Sequence, residues 1–190
     1  MFVVVSHETI KQQLIDHLLR YSVRTGDFTL KSGKKSSWFI DSKQTACRPD
    51  GLLLLADLAL DLIPADVTAI GGLTVGADPV AYGIAAVAAT RGRSLRSFTI
   101  RKEAKDHGVA GRLAGPLEPG DKCVITDDTV TRGTSPMEAV HVARELGAEP
   151  VMVLVVVDRG GTCQAMAEAE GLQFRALVTA PELGFPYEGA

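Results

Sequence analysis

Two adjacent carboxylates, Asp127 and Asp128, end a run of strand-like apolar residues in "CVITDDTVTRGTS" (Cys123–Ser135). Two threonines, an arginine and a glycine follow before a helical pattern opens. In an open α/β sheet, ligands bind beyond the carboxyl ends of the strands. A loop of this composition at a helix N-terminus offers backbone N–H groups and a favourable dipole to a phosphate. Carboxylates in the same place would repel a phosphate, so they must meet another part of the ligand. Hydroxyl groups or a divalent metal would suit them. A sugar phosphate meets both demands, with its phosphate on the loop and its ribose hydroxyls on the aspartates. The competing reading is a polar turn that an aspartate merely caps.

A second chemical cluster lies in "RKEAKDHGVAGRLAG" (Arg101–Gly115). Arg101, Lys102, Lys105 and His107 place four potential cations within seven residues. Cations aimed at a departing pyrophosphate would stabilise the charge that develops as its bond breaks. Gly108 and Gly111 would let such a segment open and close. A long polar connection inside a compact domain is often a functional lid. In isolation, the run also reads as a solvated charged loop.

The elements that must position these groups alternate along the chain. Strands are expected at Val67–Thr74, Ser97–Lys102, Lys122–Asp128, Pro150–Gly160 and Leu172–Ala180. Most are almost continuously apolar, as parallel strands covered on both faces are. Helices are expected near Asp50–Ile63, Ala77–Arg91, Ser135–Leu146 and Thr162–Glu170. For the third, Ser135 is the expected cap, Pro136 suits the first turn and Glu138 completes a capping box. Ala139, Val142, Ala143 and Leu146 form its apolar stripe, and Gly147 follows as a stop. The alternation implies a doubly wound, mainly parallel α/β sheet. The stretch Asp27–Asp41, with a turn at Ser32–Gly33, stands outside that core.

The whole chain sets bounds on these readings. Its 190 residues fit one domain with a sizeable core. A hydrophobic share of 46% and a charged share of 23% are ordinary for a soluble globular protein. A net charge of -3 argues against a general nucleic-acid binder, yet leaves a small anionic ligand open. Cys47, Cys123 and Cys163 are few, odd in number and far apart. No disulfide framework or zinc site is expected from them, and a reducing cytoplasm fits. The opening "MFVVVSHE" lacks the basic region of a signal peptide, and no apolar run approaches the ~20 residues of a membrane span. His7, His17 and His141 have no motif around them and are expected at the surface.

"CVITDDTVTRGTS" resembles the phosphoribosyl pyrophosphate (PRPP) signature of the type I phosphoribosyltransferases. "RKEAKDHG" (Arg101–Gly108) resembles the mobile loop of the orotate phosphoribosyltransferase family. "FTLKSGKKS" (Phe28–Ser36) resembles that family's amino-terminal hood, and "DRGG" (Asp158–Gly161) falls where the family has a strand-end Asp-Arg. The motifs occur in the family's order and span most of the chain.

The resemblance implies a small hood at about residues 1–45 on a phosphoribosyltransferase domain, and a mobile catalytic loop at about 101–115. It implies that orotate and PRPP give orotidine 5'-monophosphate and pyrophosphate, with Mg²⁺ held mainly through PRPP and Asp127 and Asp128 as its protein-side candidates. The implied catalytic residues are Lys105, His107, Lys102, Arg101, Asp127 and Asp128. PRPP would meet these, Lys31, Thr74 and Val75, and the run Thr129, Val130, Thr131, Arg132, Gly133, Thr134 and Ser135. Orotate would lie beside Phe39, Ile40, Thr131 and Arg159. The implied assembly is a cytoplasmic homodimer in which the mobile loop serves the partner's site, with no nucleic-acid or membrane partner. Some relatives carry Tyr-Lys where this chain has Thr74-Val75, so contacts there are left to the backbone and Thr74. Arg132, often small in relatives, either adds a phosphate contact or faces water. Two other readings stand beside this one: a phosphoribosyltransferase for another base, such as a purine, and a non-catalytic, RNA-binding relative.

Overall fold

The computed structural model describes residues 6–29, 33, 35–105 and 111–188, with the backbone only of Lys105. The first helix, α1 (His7–Tyr21), is capped by Ser6, whose hydroxyl accepts the Thr9 N–H at 3.2 Å. An antiparallel pair follows, β1 (Val23–Thr29) and β2 (Lys35–Ile40). Helices α2 (Lys43–Ala46) and α3 (Pro49–Leu62) lead into the main sheet, α3 with a proline in its first turn.

The main sheet collects β3 (Ala69–Leu73), β4 (Arg96–Lys105), β5 (Gly111–Ala114), β6 (Lys122–Val130), β7 (Glu149–Asp158) and β8 (Gln173–Thr179). Their order is β5-β4-β3-β6-β7-β8. Every neighbouring pair is parallel except β4–β5. The crossovers are α4 (Ala77–Thr90), α5 (Thr134–Glu145) and α6 (Cys163–Ala169). The mainly parallel α/β architecture expected from the alternation is therefore present.

Period-two burial divides the core between the sheet's two faces. Val124, Met152, Leu154 and Val156 pack with the apolar sides of α1, α3 and α4. Cys123, Ile125, Val153 and Val155 pack on the other face, with residues of α5 and α6. Both faces are covered, which is why the strands read as nearly unbroken apolar runs.

Four local expectations are corrected. Strand β6 does not stop at Asp128 but runs to Val130, because Thr129 and Val130 pair with Val157 and Asp158 of β7. Much of the expected 101–115 connection is strand, since Lys105 pairs with Gly111 and Ile100 with Leu113. Helix α5 starts at Thr134 behind Gly133, and no side chain caps it. The expected capping box is absent because Glu138 is engaged by Arg112. His17 is buried rather than superficial: it packs beside Leu14 and Leu18, and its Nδ1 lies 3.1 Å from the Thr45 hydroxyl.

Candidate functional site

Strand β3 has β4 on one side and β6 on the other, so the chain reverses its winding between β3 and β6. A crevice at such a switch point, beyond the carboxyl ends of the strands, is where open α/β sheets take ligands. The end of β3 delivers Thr74, Val75 and Gly76 to it, and the end of β6 delivers Asp127 and Asp128. Gly76 lies so close to both acids that a Cβ there would stand 2.5 Å from an oxygen of each. Only glycine permits that approach, and nothing in the local sequence singles this glycine out from its neighbours.

The two acids are nearly excluded from solvent, at 8% and 7% exposure. Asp127 Oδ1 accepts the Asp128 N–H at 2.9 Å, and Asp128 Oδ1 accepts the Thr129 N–H at 2.9 Å. Lys43 donates to Asp128 Oδ2 at 2.9 Å and lies 3.0 Å from Asp41. Burial opposes the charge of Lys43, but Asp128 and Asp41 hold its ammonium above the ordinary range. Burial, with the neighbouring Asp128 charge, pushes the Asp127 carboxyl up to about 8. A carboxyl that keeps its proton to so high a pH can donate as well as accept. That combination matches vicinal hydroxyls.

The raised value has a consequence for stability. Between the ordinary carboxylate value of 3.8 and about 8, the folded protein holds a proton that the unfolded chain has lost. Stability from this group therefore falls as pH rises through that window. Asp127→Asn removes the penalty and keeps an acceptor for the Asp128 N–H. Its melting temperature, measured without substrate, is expected to draw level with wild type near pH 4. It should exceed wild type by a growing margin that levels off above pH ~8, at most about 1.4 kcal/mol per pH unit crossed. A constant difference across that range would contradict a buried, titrating Asp127.

The other expected residues fall into four groups. Thr131, Arg132, Gly133, Thr134 and Ser135 follow Thr129 and Val130 into the start of α5, where Gly133 takes a left-handed φ of 85°. Arg132 is exposed, and the first-turn N–H groups of α5 have no side-chain cap. The Thr74 hydroxyl donates to Asp78 at 2.7 Å and its N–H donates to the Ile100 carbonyl at 2.9 Å, so both donors are already engaged. Val75 is exposed, and the Thr74–Val75 peptide is cis.

Arg101 donates to the carbonyls of Leu113 at 2.9 Å and Gly111 at 3.3 Å, tying the β4–β5 ribbon together, while Lys102 is exposed. Lys31 and His107 lie outside the described residues, as does the Lys105 side chain.

Arg159 is 5% exposed and stands directly after β7, its N–H donating to the Val130 carbonyl at 2.8 Å. Its guanidinium donates to the Trp38 carbonyl at 2.9 Å and the Ser36 hydroxyl at 3.1 Å, and pairs with Glu188. The strand β2 thereby reaches the end of β7. Alternation along β2 separates Phe39 from Ile40: Phe39 is 41% exposed and Ile40 is buried in the core with Trp38. The two do not share a face, so the structure does not bring both to one ligand.

Sequence reasoning missed Lys43 and Ser42. Ser42 lies 2.5 Å from the Thr129 hydroxyl, and together they fasten the segment after β2 to the acid pair. Among the described residues, no group of three or more His, Cys, Asp or Glu side chains converges on a metal position. Two carboxylates with no third protein ligand fit a Mg²⁺ that takes most of its oxygens from a bound phosphate compound.

No protein-family model matches the chain. The chain is 38% identical over 181 residues to orotate phosphoribosyltransferase of Nostoc sp., covering 95% of this chain and 88% of that protein. Among solved structures, orotate phosphoribosyltransferase of Mycobacterium tuberculosis in complex with Fe(III) dicitrate superposes with a TM-score of 0.83 at 34% identity, covering 93% and 99% of the two chains. The same enzyme in complex with PRPP gives 0.78 at 30% identity, with the same coverage.

Proposed function

The chain belongs to the orotate phosphoribosyltransferase family, and on that premise we propose how its own residues perform the transfer. The reaction moves the phosphoribosyl group of PRPP to orotate, giving orotidine 5'-monophosphate and pyrophosphate in de novo pyrimidine biosynthesis. The observation that carries the assignment of residues is the switch-point crevice, where the acid pair, the uncapped start of α5 and the buried Arg159 all lie at adjacent strand ends.

The 5'-phosphate sits on the N–H groups at the start of α5, with Arg132 at its exposed edge. Asp127 and Asp128 take the ribose hydroxyls, one donating and one accepting. Arg159 holds the orotate carboxylate, an arginine fork being suited to a carboxylate. Phe39 and Thr131 line the base. The orotate ring nitrogen forms a bond to the anomeric carbon as the bond from that carbon to the pyrophosphate oxygen breaks. The positive charge that builds on the ribose faces Asp128. The negative charge that builds on pyrophosphate faces Lys105, His107 and Lys102, with Lys31 and the backbone at Val75 on the same group. Arg101 supports the ribbon that carries these cations. Asp127 and Asp128, together with the bound PRPP, would hold a Mg²⁺, which would supply neutralising charge to the phosphates.

The working unit in this reading is a cytoplasmic homodimer, in which the 101–115 stretch of one subunit completes the site of the other. No helix among the described residues is long and apolar enough to cross a membrane.

The test is spectrophotometric. Orotate absorbance is expected to fall when PRPP and Mg²⁺ are both present, to stay constant after chelation by EDTA, and to fall again when Mg²⁺ is restored. Turnover of a purine base in place of orotate would overturn the substrate assignment. Full activity in EDTA would overturn the metal requirement.

A further inference from the structure

The last described residues fold back onto the base end of the site. The 3₁₀ turn Pro181–Leu183 ends at Gly184, whose φ of 85° reverses the chain. Phe185 then stacks on Trp38 with ring centroids 4.4 Å apart and planes within 8°. The Arg159 guanidinium lies 4.7 Å from the centre of the same Trp38 ring. Tyr187 crosses Gly161 so closely that a Cβ there would stand 2.9 Å from its ring. The Glu188 N–H donates to the Arg159 carbonyl at 3.0 Å. These contacts set the Glu188 carboxylate against Arg159, while its other oxygen accepts the Ser36 hydroxyl at 2.6 Å.

A buried guanidinium must be paired, because an uncompensated charge in low dielectric is costly. Arg159 has a carboxylate partner in Glu188, but the pairing is incomplete. Glu188 engages one terminal nitrogen, and Arg159 Nε is buried with no partner among the described residues. A carboxylate delivered on a flat ring could engage two N–H groups side by side and satisfy that orphan. Glu188 reaches the site on a tail that Phe185 anchors and that is exposed at Pro186 and Tyr187.

We propose that Glu188 is a resident substitute for the substrate's carboxylate: it neutralises Arg159 in the empty site and is displaced by the carboxylate of orotate. The inference rests on the reading of Arg159 as the orotate-binding residue. It makes Glu188 a specificity-determining residue. A base that carries a carboxylate exchanges one ion pair for a better one. A base without a carboxylate would strand Arg159 if it removed the tail, and would meet the tail if it did not. The exchange also weakens orotate binding, because apparent affinity falls in proportion to the fraction of sites in which Arg159 is free.

The experiment compares full-length wild type with Glu188→Gln, Glu188→Ala and Arg159→Ala in steady-state kinetics, with melting temperatures to confirm folding. Both Glu188 variants are expected to lower the orotate KM by about five- to tenfold and to move the PRPP KM by less than about twofold. Arg159→Ala is expected to raise the orotate KM strongly while sparing the PRPP KM. If Arg159→Ala behaves so but neither Glu188 variant lowers the orotate KM, carboxylate exchange is wrong and the base-pocket reading stands. A raised orotate KM in the Glu188 variants would make Glu188 a support for Arg159 and overturn the exchange as well. An orotate KM untouched by Arg159→Ala would overturn the base-pocket reading and the exchange together.

Discussion

Lys105→Ala is expected to lower kcat by about 10²–10³-fold, with much less effect on orotate binding. Lys105 ends β4, opposite Gly111 across the ribbon. The ribbon is cross-tied along its length: Arg101 donates to the carbonyls of Gly111 and Leu113, and the Arg112 Nε donates to the Arg101 carbonyl at 2.7 Å. Pyrophosphate gains negative charge only as its bond to the anomeric carbon breaks. A cation directed at it therefore stabilises the transition state more than the ground state, and its loss appears in kcat. Steady-state kinetics with both substrates varied check this. A near-normal kcat with a raised KM would move Lys105 from the leaving group to ground-state binding.

The strands were legible in the sequence because both sheet faces are covered, which leaves a continuous apolar signal at Ile70, Val124 and Leu154. The boundaries were less so, for an identifiable reason. Strand β6 continues past two aspartates and a threonine because β7 offers a ladder partner for them, and no local pattern encodes a partner's length. The capping box failed in the same way. Glu138 has the right spacing from Ser135, but Arg112, 26 residues upstream, engages its carboxylate. The polar 101–115 stretch looked like a loop because its strand pairing is stabilised by arginine-to-carbonyl contacts rather than by apolar alternation.

The site divides along a similar line. Asp127 and Asp128 were visible because two acids after an apolar run are hard to place otherwise. The upward shift of the Asp127 carboxyl and the Lys43 contact were not, since the first depends on burial and the second joins positions 85 apart. Arg159 was visible from its place after a strand. Its present partner, Glu188, was not, because it lies 29 positions away, beyond β8 and a reversal at Gly184. The resemblance set both Phe39 and Ile40 beside orotate, yet a strand sends the side chains of neighbours to opposite faces.

Co-expression of Lys105→Ala with Asp128→Ala is expected to restore about a quarter of wild-type activity from two inactive parents. Asp128→Ala removes the carboxylate that Lys43 and the Thr129 N–H share, so a homodimer of that variant lacks an essential member of the acid pair at both sites. A Lys105→Ala homodimer keeps its acid pairs and lacks the cation at both. In a mixed dimer, one subunit offers intact aspartates and the other an intact Lys105. If the 101–115 stretch acts across the interface, those two halves meet in one complete site, and the second site is broken twice. Random pairing makes about half of the dimers mixed, each with one good site of two under two-fold symmetry. If the stretch instead closes over its own subunit, each site of the mixed dimer lacks one essential group. Activity then stays at the level of the parents mixed without co-expression, and the site belongs to a single chain.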